Sequence, residues 1–129
     1  MEHHEFLRSR RSVRRFRAEP VDDAAVERML TTATSAPSAH NRQPWRFCVV
    51  RQPEAKARLA DVMAAEFLGD LERDNLPAGD IEARVERSRT RIKSAPLVVV
   101  LCMDMSEMDR YPDARRAQAE RMMAIQSSP

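Results

Sequence analysis

The chain has 129 residues, of which 43% are hydrophobic and 33% charged, so it is long enough for one domain with a real core and too short for two ordinary domains. Its 22 basic and 20 acidic residues nearly cancel to a net charge of +2, and overall charge therefore favours no polyanionic partner. Two glycines exclude a P-loop and a Rossmann glycine turn, six aromatic residues (four Phe, one Trp, one Tyr) argue against base-stacking nucleic-acid modules, and no apolar run reaches membrane-spanning length.

The first half of the chain alternates helical and extended patterns. Residues 2–9 suit a short helix, and an arginine-rich stretch follows it. Asp22 or Asp23 is expected to cap a helix over residues 23–36, whose apolar positions recur at helical spacing. Turn-forming residues then predict a loop over 37–44, and the sequence WRFCVV at 45–50 predicts a strand.

The second half repeats the alternation. Helices are expected over 53–68 and 80–93, with the stripe Leu59, Val62, Met63 and Phe67 on one side of the first. Leu97–Met103 is a continuous apolar run, which predicts a strand buried on both faces. After a loop at 104–112, a last helix is expected from Pro112–Asp113 to Ile125.

This order predicts an α/β or α+β layered fold in which a central sheet is flanked by helices. A two-stranded sheet is marginal by itself, and the last helix is becoming apolar where the chain stops. We therefore expect residues 1–129 to be the N-terminal portion of a single, truncated domain.

The cysteines and the N-terminus bear on the compartment. Cys48 and Cys102 lie in apolar runs, so we expect small buried side chains in a reducing compartment. The three histidines do not have the spacing of a zinc site, and no metal is expected. The polar start Met1–Glu5 lacks a secretory signal, which predicts a cytoplasmic protein.

The sequence RRSVRRF at 10–16 is the strongest functional signal. A guanidinium fork matches phosphate oxygens two at a time, and a serine hydroxyl adds a neutral donor. In an extended chain Arg10, Ser12 and Arg14 project to one side and can converge on one anion. The alternative is a solvated face or a nonspecific polyanion-binding arm.

The loop before the first strand has a second distinctive composition. Pro37 and Pro44 fix its entry and exit, and its small residues let a planar ligand approach the backbone. Ser38 and Asn41 add donors and acceptors. An ordinary helix-to-strand connection is the alternative, and His40 has no nucleophile or carboxylate at the spacing of a catalytic triad.

Taken together, RRSVRRF, a helix, and APSAHNRQPWRF opening a strand resemble the flavin-dependent nitroreductase family. The segments FLGDL at 67–71 and MDRYPDAR at 108–115 resemble one branch, the C-terminal reductase domain of the coenzyme factor 420 (deazaflavin) biosynthesis protein. The resemblance implies a nitroreductase-like fold, FMN as cofactor, a homodimer, a small-molecule substrate that includes a deazaflavin coenzyme among the candidates, and NAD(P)H among the candidate electron donors.

The resemblance also implies which residues form the site. It places the N-terminal motif on the FMN phosphate and ribityl chain, the loop on the isoalloxazine ring from the partner subunit, and one acidic residue beside a bound deazaflavin. The residues of the N-terminal motif are Arg10, Arg11, Ser12 and Arg14, and those of the loop are Pro37, Ser38, Ala39 and Asn41. The acidic residue is Asp70. Reduced flavin delivers the hydride in such enzymes, so no catalytic side chain is expected.

Three functions remain open at this point. The first is an FMN-dependent oxidoreductase acting on a nitro, quinone, enone or deazaflavin-precursor substrate. The second is a truncated, non-enzymatic remnant that folds by dimerising. The third is an arginine-rich module that binds a polyanion; against it, Val13 and Phe16 are expected to anchor the arginine segment in the core.

Overall fold

The computed structural model describes residues 2–74 and 76–129. Its elements follow the predicted order, and the mixed α/β class with a small sheet and five helices is confirmed. The elements are α1 (His3–Ser9), α2 (Asp23–Ala33), β1 (Trp45–Val50), α3 (Pro53–Arg73), α4 (Ala78–Ser94), β2 (Val98–Met103) and α5 (Ala114–Gln126), with a short 3-10 turn at Ala39–Asn41 between α2 and β1.

Local chemistry accounts for most helix boundaries. The Asp22 carboxylate accepts a 2.7 Å hydrogen bond from the Ala25 amide at the start of α2, which is a standard N-cap. The same helix ends three residues earlier than predicted, because its last amides bond three residues back in tightened turns ahead of Pro37. Helix α3 runs five residues longer than predicted, since Gly69 is tolerated inside it without a positive φ.

The sheet is a two-stranded antiparallel ribbon. Trp45 pairs with Met103, and Val50 pairs with Val98. As in any β-strand, successive side chains point to opposite faces of the ribbon. The prediction that this second strand is buried on both faces is wrong: β2 is half-buried, because it has one hydrogen-bonded neighbour strand among the described residues. Cys48 and Cys102 share one face and are exposed free thiols, so their expected burial is also wrong.

The described chain forms two compact units. One comprises the chain up to Glu19 and Arg51–Pro96, and in it α3 packs against α4. The other comprises Pro20–Val50 and Leu97–Pro129, and contains the ribbon with α2 and α5. Its buried apolar residues are Val26, Trp45, Met108 and Ala124.

The contact face of α3 differs from the predicted stripe. Leu59 and Phe67 of the stripe are half-buried and Val62 and Met63 are exposed, whereas the buried positions are Lys56, Ala60, Ala64 and Leu71. Alanines lack bulk, so they let a neighbouring helix approach closely, and hydrophobicity alone therefore predicted only part of the buried face. The buried Lys56 ammonium donates to the Ala95 carbonyl at 2.5 Å, which ties the start of α3 to the end of α4.

In the part of the chain that the structure describes, no helix combines the length and the apolar character needed to cross a bilayer.

Candidate functional site

The arginine segment at residues 10–16 has no regular secondary structure and is exposed along its whole length. Val13 is 63% exposed and Phe16 45% exposed, so the prediction that they anchor the segment in the core is wrong. The physical reason is that, among the described residues, the segment pairs with no strand, and the α4 side of the groove that it borders leaves Phe16 nearly half exposed. What the segment offers is a row of accessible donors.

Those donors fit a phosphate. Within the described residues, the Arg10 and Arg14 guanidiniums have no carboxylate partner, and the Ser12 hydroxyl has no hydrogen bond. The Arg11 guanidinium donates to the carbonyls of Arg8 and Arg10, each at 2.9 Å. Charged donors without protein partners can turn to an anion at little cost, and the donor set is therefore suited to the phosphate that the resemblance implies.

Arg14 also borders a groove of 660 Å³. Segment 14–16 forms one side of this groove, and α4 forms the other with Arg87, Thr90 and Arg91. Arg10, Arg11 and Ser12 do not line it. The two α4 arginines were not predicted from the sequence, although their spacing of four residues, about one helical turn, places them on one face of the helix.

The loop between α2 and β1 is cross-linked from within. The Gln43 amide donates to the Ser38 hydroxyl at 2.9 Å, and the Gln43 side chain donates to the Thr34 carbonyl at 2.9 Å. His40, Asn41 and Gln43 have φ values of 51°, 51° and 48°, a left-handed conformation that side chains other than glycine adopt at a cost. Surrounding contacts must therefore hold this backbone in place.

Asp109 is the principal such contact. Its carboxylate accepts a 2.7 Å hydrogen bond from the Arg42 guanidinium and lies 3.3 Å from His40 Nε2. The same guanidinium donates to the Glu107 carbonyl at 2.7 Å. Sequence reasoning did not find this cluster, because Arg42 and Asp109 are separated by 67 residues and no motif joins them.

The exit of the loop is tied to the end of β2. The Asp104 amide donates to the Pro44 carbonyl at 2.6 Å. Ser106 donates to the Asp104 carboxylate from its hydroxyl at 2.6 Å and from its amide at 3.0 Å. These two hydrogen bonds, helped by the Arg46 guanidinium at 3.2 Å, hold the pKa of Asp104 below its ordinary value of 3.8.

The predicted site residues thus fall into separate groups. Ser38 and Ala39 are half-buried in the cross-linked loop, and Pro37 and Asn41 are exposed on it. Asp70 is exposed on α3, forms an ion pair with Arg73 one turn later, and does not line the groove beside Arg14.

Comparison with known proteins places both motif segments in one family. The profile described as the nitroreductase family matches residues 7–128. The chain belongs to the nitroreductase family. This nitroreductase-family chain is 34% identical, over 98 residues, to the NADH dehydrogenase of Thermus thermophilus, an alignment that covers 76% of the chain and 37% of that protein.

Solved structures share the fold of this nitroreductase-family chain. A BluB-like flavoprotein from Clostridium difficile 630 matches 98% of the chain with a TM-score of 0.68 at 20% identity, and the match covers 64% of that protein. An iodotyrosine deiodinase bound to FMN and 3-iodo-L-tyrosine matches 96% of the chain with a TM-score of 0.65 at 22% identity, over 67% of that protein. The chain therefore spans about a third of the curated relative and about two thirds of these solved chains.

Proposed function

We propose that the chain forms the N-terminal portion of one nitroreductase-like domain in an FMN-dependent oxidoreductase. The observation that carries this proposal is the family match over residues 7–128, which includes both the arginine segment and the cross-linked loop. The iodotyrosine deiodinase of similar fold is bound to FMN, and the curated relative is a NADH dehydrogenase. From these two names we infer an oxidoreductase in which FMN accepts electrons from NAD(P)H.

In this proposal the arginine segment holds the phosphate and ribityl chain of FMN. Arg10, Arg11 and Arg14 supply charged donors, and Ser12 supplies a hydroxyl. Arginine forks bind phosphate oxygens in pairs, so a small number of these contacts orients the whole cofactor. The accessibility of the guanidiniums and the absence of ion-pair partners for Arg10 and Arg14 within the described residues support this role.

In the proposed dimer, the loop of the partner subunit contributes the surface for the isoalloxazine ring. The small side chain of Ala39 leaves room for a flat ring, and Pro37, Ser38 and Asn41 surround it with a rigid backbone and polar groups. Because Ser38 and Arg42 are already engaged in hydrogen bonds, the loop keeps its shape before a ligand arrives. When bound, reduced FMN supplies the hydride, and the residues of this chain bind and orient it.

The proposed substrates are small molecules with a reducible nitro, quinone or enone group, or a deazaflavin precursor. The last of these follows from the resemblance of FLGDL and MDRYPDAR to the deazaflavin biosynthesis branch. The exposed Asp70 carboxylate would lie beside the deazaflavin in that case. A cytoplasmic location stays a prediction.

FMN titration tests the proposal directly. Quenching of flavin fluorescence on adding the protein should give a saturable curve. Arg14→Ala should weaken FMN binding by about 1.5–3 kcal/mol, because charge-assisted hydrogen bonds to the phosphate are lost. Arg8→Ala, which removes an exposed charge of α1 outside the motif, is the matched control and should leave the dissociation constant nearly unchanged. An unchanged constant in Arg14→Ala removes that residue from the site, and no FMN binding at all favours the non-enzymatic remnant.

The proposed enzyme is a homodimer. Helix α5 supports this assignment by its unusual burial: Glu120 is 5% exposed, whereas Met122, Met123 and Ile125 are each more than half exposed. Large apolar side chains presented together on one helix favour association, because burying them removes apolar area from water.

Sedimentation at micromolar concentration should therefore show a dimer. Met122→Glu should shift the protein toward monomer, since a charge would be buried in the interface. Met29→Glu on α2, a similarly exposed methionine, is the control and should leave the dimer intact. A compact wild-type monomer that melts cooperatively contradicts the proposal.

A polyanion-binding module is the second candidate. The exposure of Val13 and Phe16 favours it, because the argument against it relied on these residues being anchored in the core. Binding of a mixed-sequence oligonucleotide with a steep salt dependence, and without any FMN binding, would select this function over the oxidoreductase.

A further inference from the structure

The groove beside Arg14 collects four guanidinium groups from two parts of the chain. Arg14 and Arg15 come from the arginine segment, and Arg87 and Arg91 come from successive turns of α4. None of the four has a carboxylate partner among residues 2–74 and 76–129. Like charges that line one groove repel one another, and a bound anion would relieve that repulsion.

Two pairs of basic residues on α4 have different neighbours. Arg89 lies 3.1 Å and Lys93 3.3 Å from the Asp61 carboxylate of α3, so these cations serve helix packing. Arg87 and Arg91 line the groove instead and leave their charge unneutralised.

The groove contains one acidic side chain, Glu86, and its carboxylate is engaged. The Thr90 hydroxyl donates to it at 3.0 Å, and the Arg89 guanidinium lies 3.5 Å away. The remaining field in the groove is therefore positive. When Arg14 binds the flavin phosphate, Arg15, Arg87 and Arg91 remain in the groove, and three guanidiniums can bind the oxygens of two linked phosphate groups.

The remaining lining residues of the groove can accommodate a planar ring. Phe16 keeps 45% of its surface exposed where it lines the groove, and the small Ala83 lies on the α4 side. A volume of 660 Å³ falls within the range of about 300–1,000 Å³ that is usual for small-molecule sites. An aromatic ring with nearby guanidiniums can stack a planar base while the arginines bind its phosphates.

From these observations we infer that the groove is a binding site for a nucleoside diphosphate, with the diphosphate on Arg15, Arg87 and Arg91 and the base against Phe16. Arg14 is the border between this groove and the proposed flavin site. The binding site stands on its own geometry, whereas its use rests on the proposed function: there it receives the diphosphate half of a nicotinamide dinucleotide donor, or of a substrate linked to a nucleoside diphosphate.

Calorimetric titration of the whole chain with ADP, inorganic pyrophosphate and adenosine tests the inference. ADP should bind most tightly, pyrophosphate more weakly and adenosine least, because only ADP uses both the arginines and the ring. The double variant Arg87→Ala, Arg91→Ala should weaken ADP binding at least about tenfold, through lost charge-assisted hydrogen bonds. Phe16→Ala should weaken ADP but leave pyrophosphate unchanged.

The control is a second double variant, Arg58→Ala with Arg84→Ala. It removes the same charge from α3 and α4, both side chains are exposed, and neither lines the groove. It should change ADP binding less than about threefold, since distant surface charges are screened by salt. If both double variants weaken ADP equally, or if an oligonucleotide binds more tightly than ADP, the groove is a general polyanion surface and the inference is overturned.

FMN titration of the same variants separates this inference from the proposed function. Loss of ADP affinity with normal FMN affinity in Arg87→Ala, Arg91→Ala supports a second site. Equal losses for both ligands make the groove the FMN phosphate site and overturn the inference. A wild-type chain that binds ADP without FMN retains the groove and contradicts the oxidoreductase. NAD⁺ binding that is lost in the double variant identifies the dinucleotide as the source, and ADP binding without NAD⁺ binding identifies a diphosphate-linked substrate.

Discussion

The two segments that resemble flavin-binding motifs are held in opposite ways. The arginine segment at 10–16 is exposed throughout, and Arg11 donates two side-chain hydrogen bonds to the nearby carbonyls of Arg8 and Arg10. The loop at 37–44 is cross-linked by Ser38 and Gln43 and fastened to Asp109 through Arg42. It keeps three residues in a left-handed conformation, which requires such support.

This difference in rigidity predicts how the two segments would contribute to the free energy of ligand binding. A preorganised loop loses little conformational entropy when a ligand arrives, whereas long arginine side chains lose rotamer freedom of about 0.5–1.5 kcal/mol each. The arginines compensate through strong charge-assisted contacts. We therefore expect the loop to determine which ring fits, and the arginine segment to determine how tightly the phosphate is held.

The largest expected effect is on the free energy of unfolding, when the aromatic residue at the end of each segment is replaced. Trp45 follows the loop and is 4% exposed, so Trp45→Ala should lower the free energy of unfolding by about 3–5 kcal/mol through the cavity it leaves. Phe16→Ala at the end of the arginine segment should cost less than about 1 kcal/mol, as at other exposed positions. Urea denaturation followed by circular dichroism measures both. Similar losses in the two variants would mean that the segments are equally well anchored.

A smaller effect is expected for one arginine from each region. Arg42→Ala removes the contacts with Asp109 and with the Glu107 carbonyl, and should cost about 0.5–1.5 kcal/mol of unfolding free energy at this partly exposed site. Arg17→Ala is the control, because its pair with Glu19 is exposed and 3.5 Å long. Its denaturation midpoint should match that of the wild-type chain, and a shift as large as that of Arg42→Ala would contradict the comparison.

The smallest expected effect is a pH dependence at the exit of the loop. Because the pKa of Asp104 is lower in the folded chain than its ordinary 3.8, its stabilising contribution is fully present above pH 3.8 and is lost as pH falls through the folded-state value. Ser106→Ala removes the hydroxyl donor that is the largest cause of the shift, so acid should destabilise that variant less. Proton titration of the Asp104 carboxyl by NMR measures the shift directly, and an equal pKa in both chains would contradict this assignment.

Sequence patterns predicted elements and local caps well because these depend on neighbours in the chain. The Asp22 cap, the bounds of β1 and the order of all seven elements follow from spacing and turn chemistry. The patterns failed where burial depends on distant residues. Val13, Phe16, Cys48 and Cys102 are apolar or small, yet each is exposed. Their environment depends on which layers cover them, and composition carries no information about that.

By itself, the sequence determined the family and the chemical character of both motif segments, since arginine spacing and turn residues are properties of the chain. Only the tertiary structure decided that Asp109 fastens the loop, that α3 packs through alanines, and that Arg87 and Arg91 share a groove with Arg14. These groupings bring together residues up to 77 positions apart, because folding brings residues together by geometry rather than by distance along the chain.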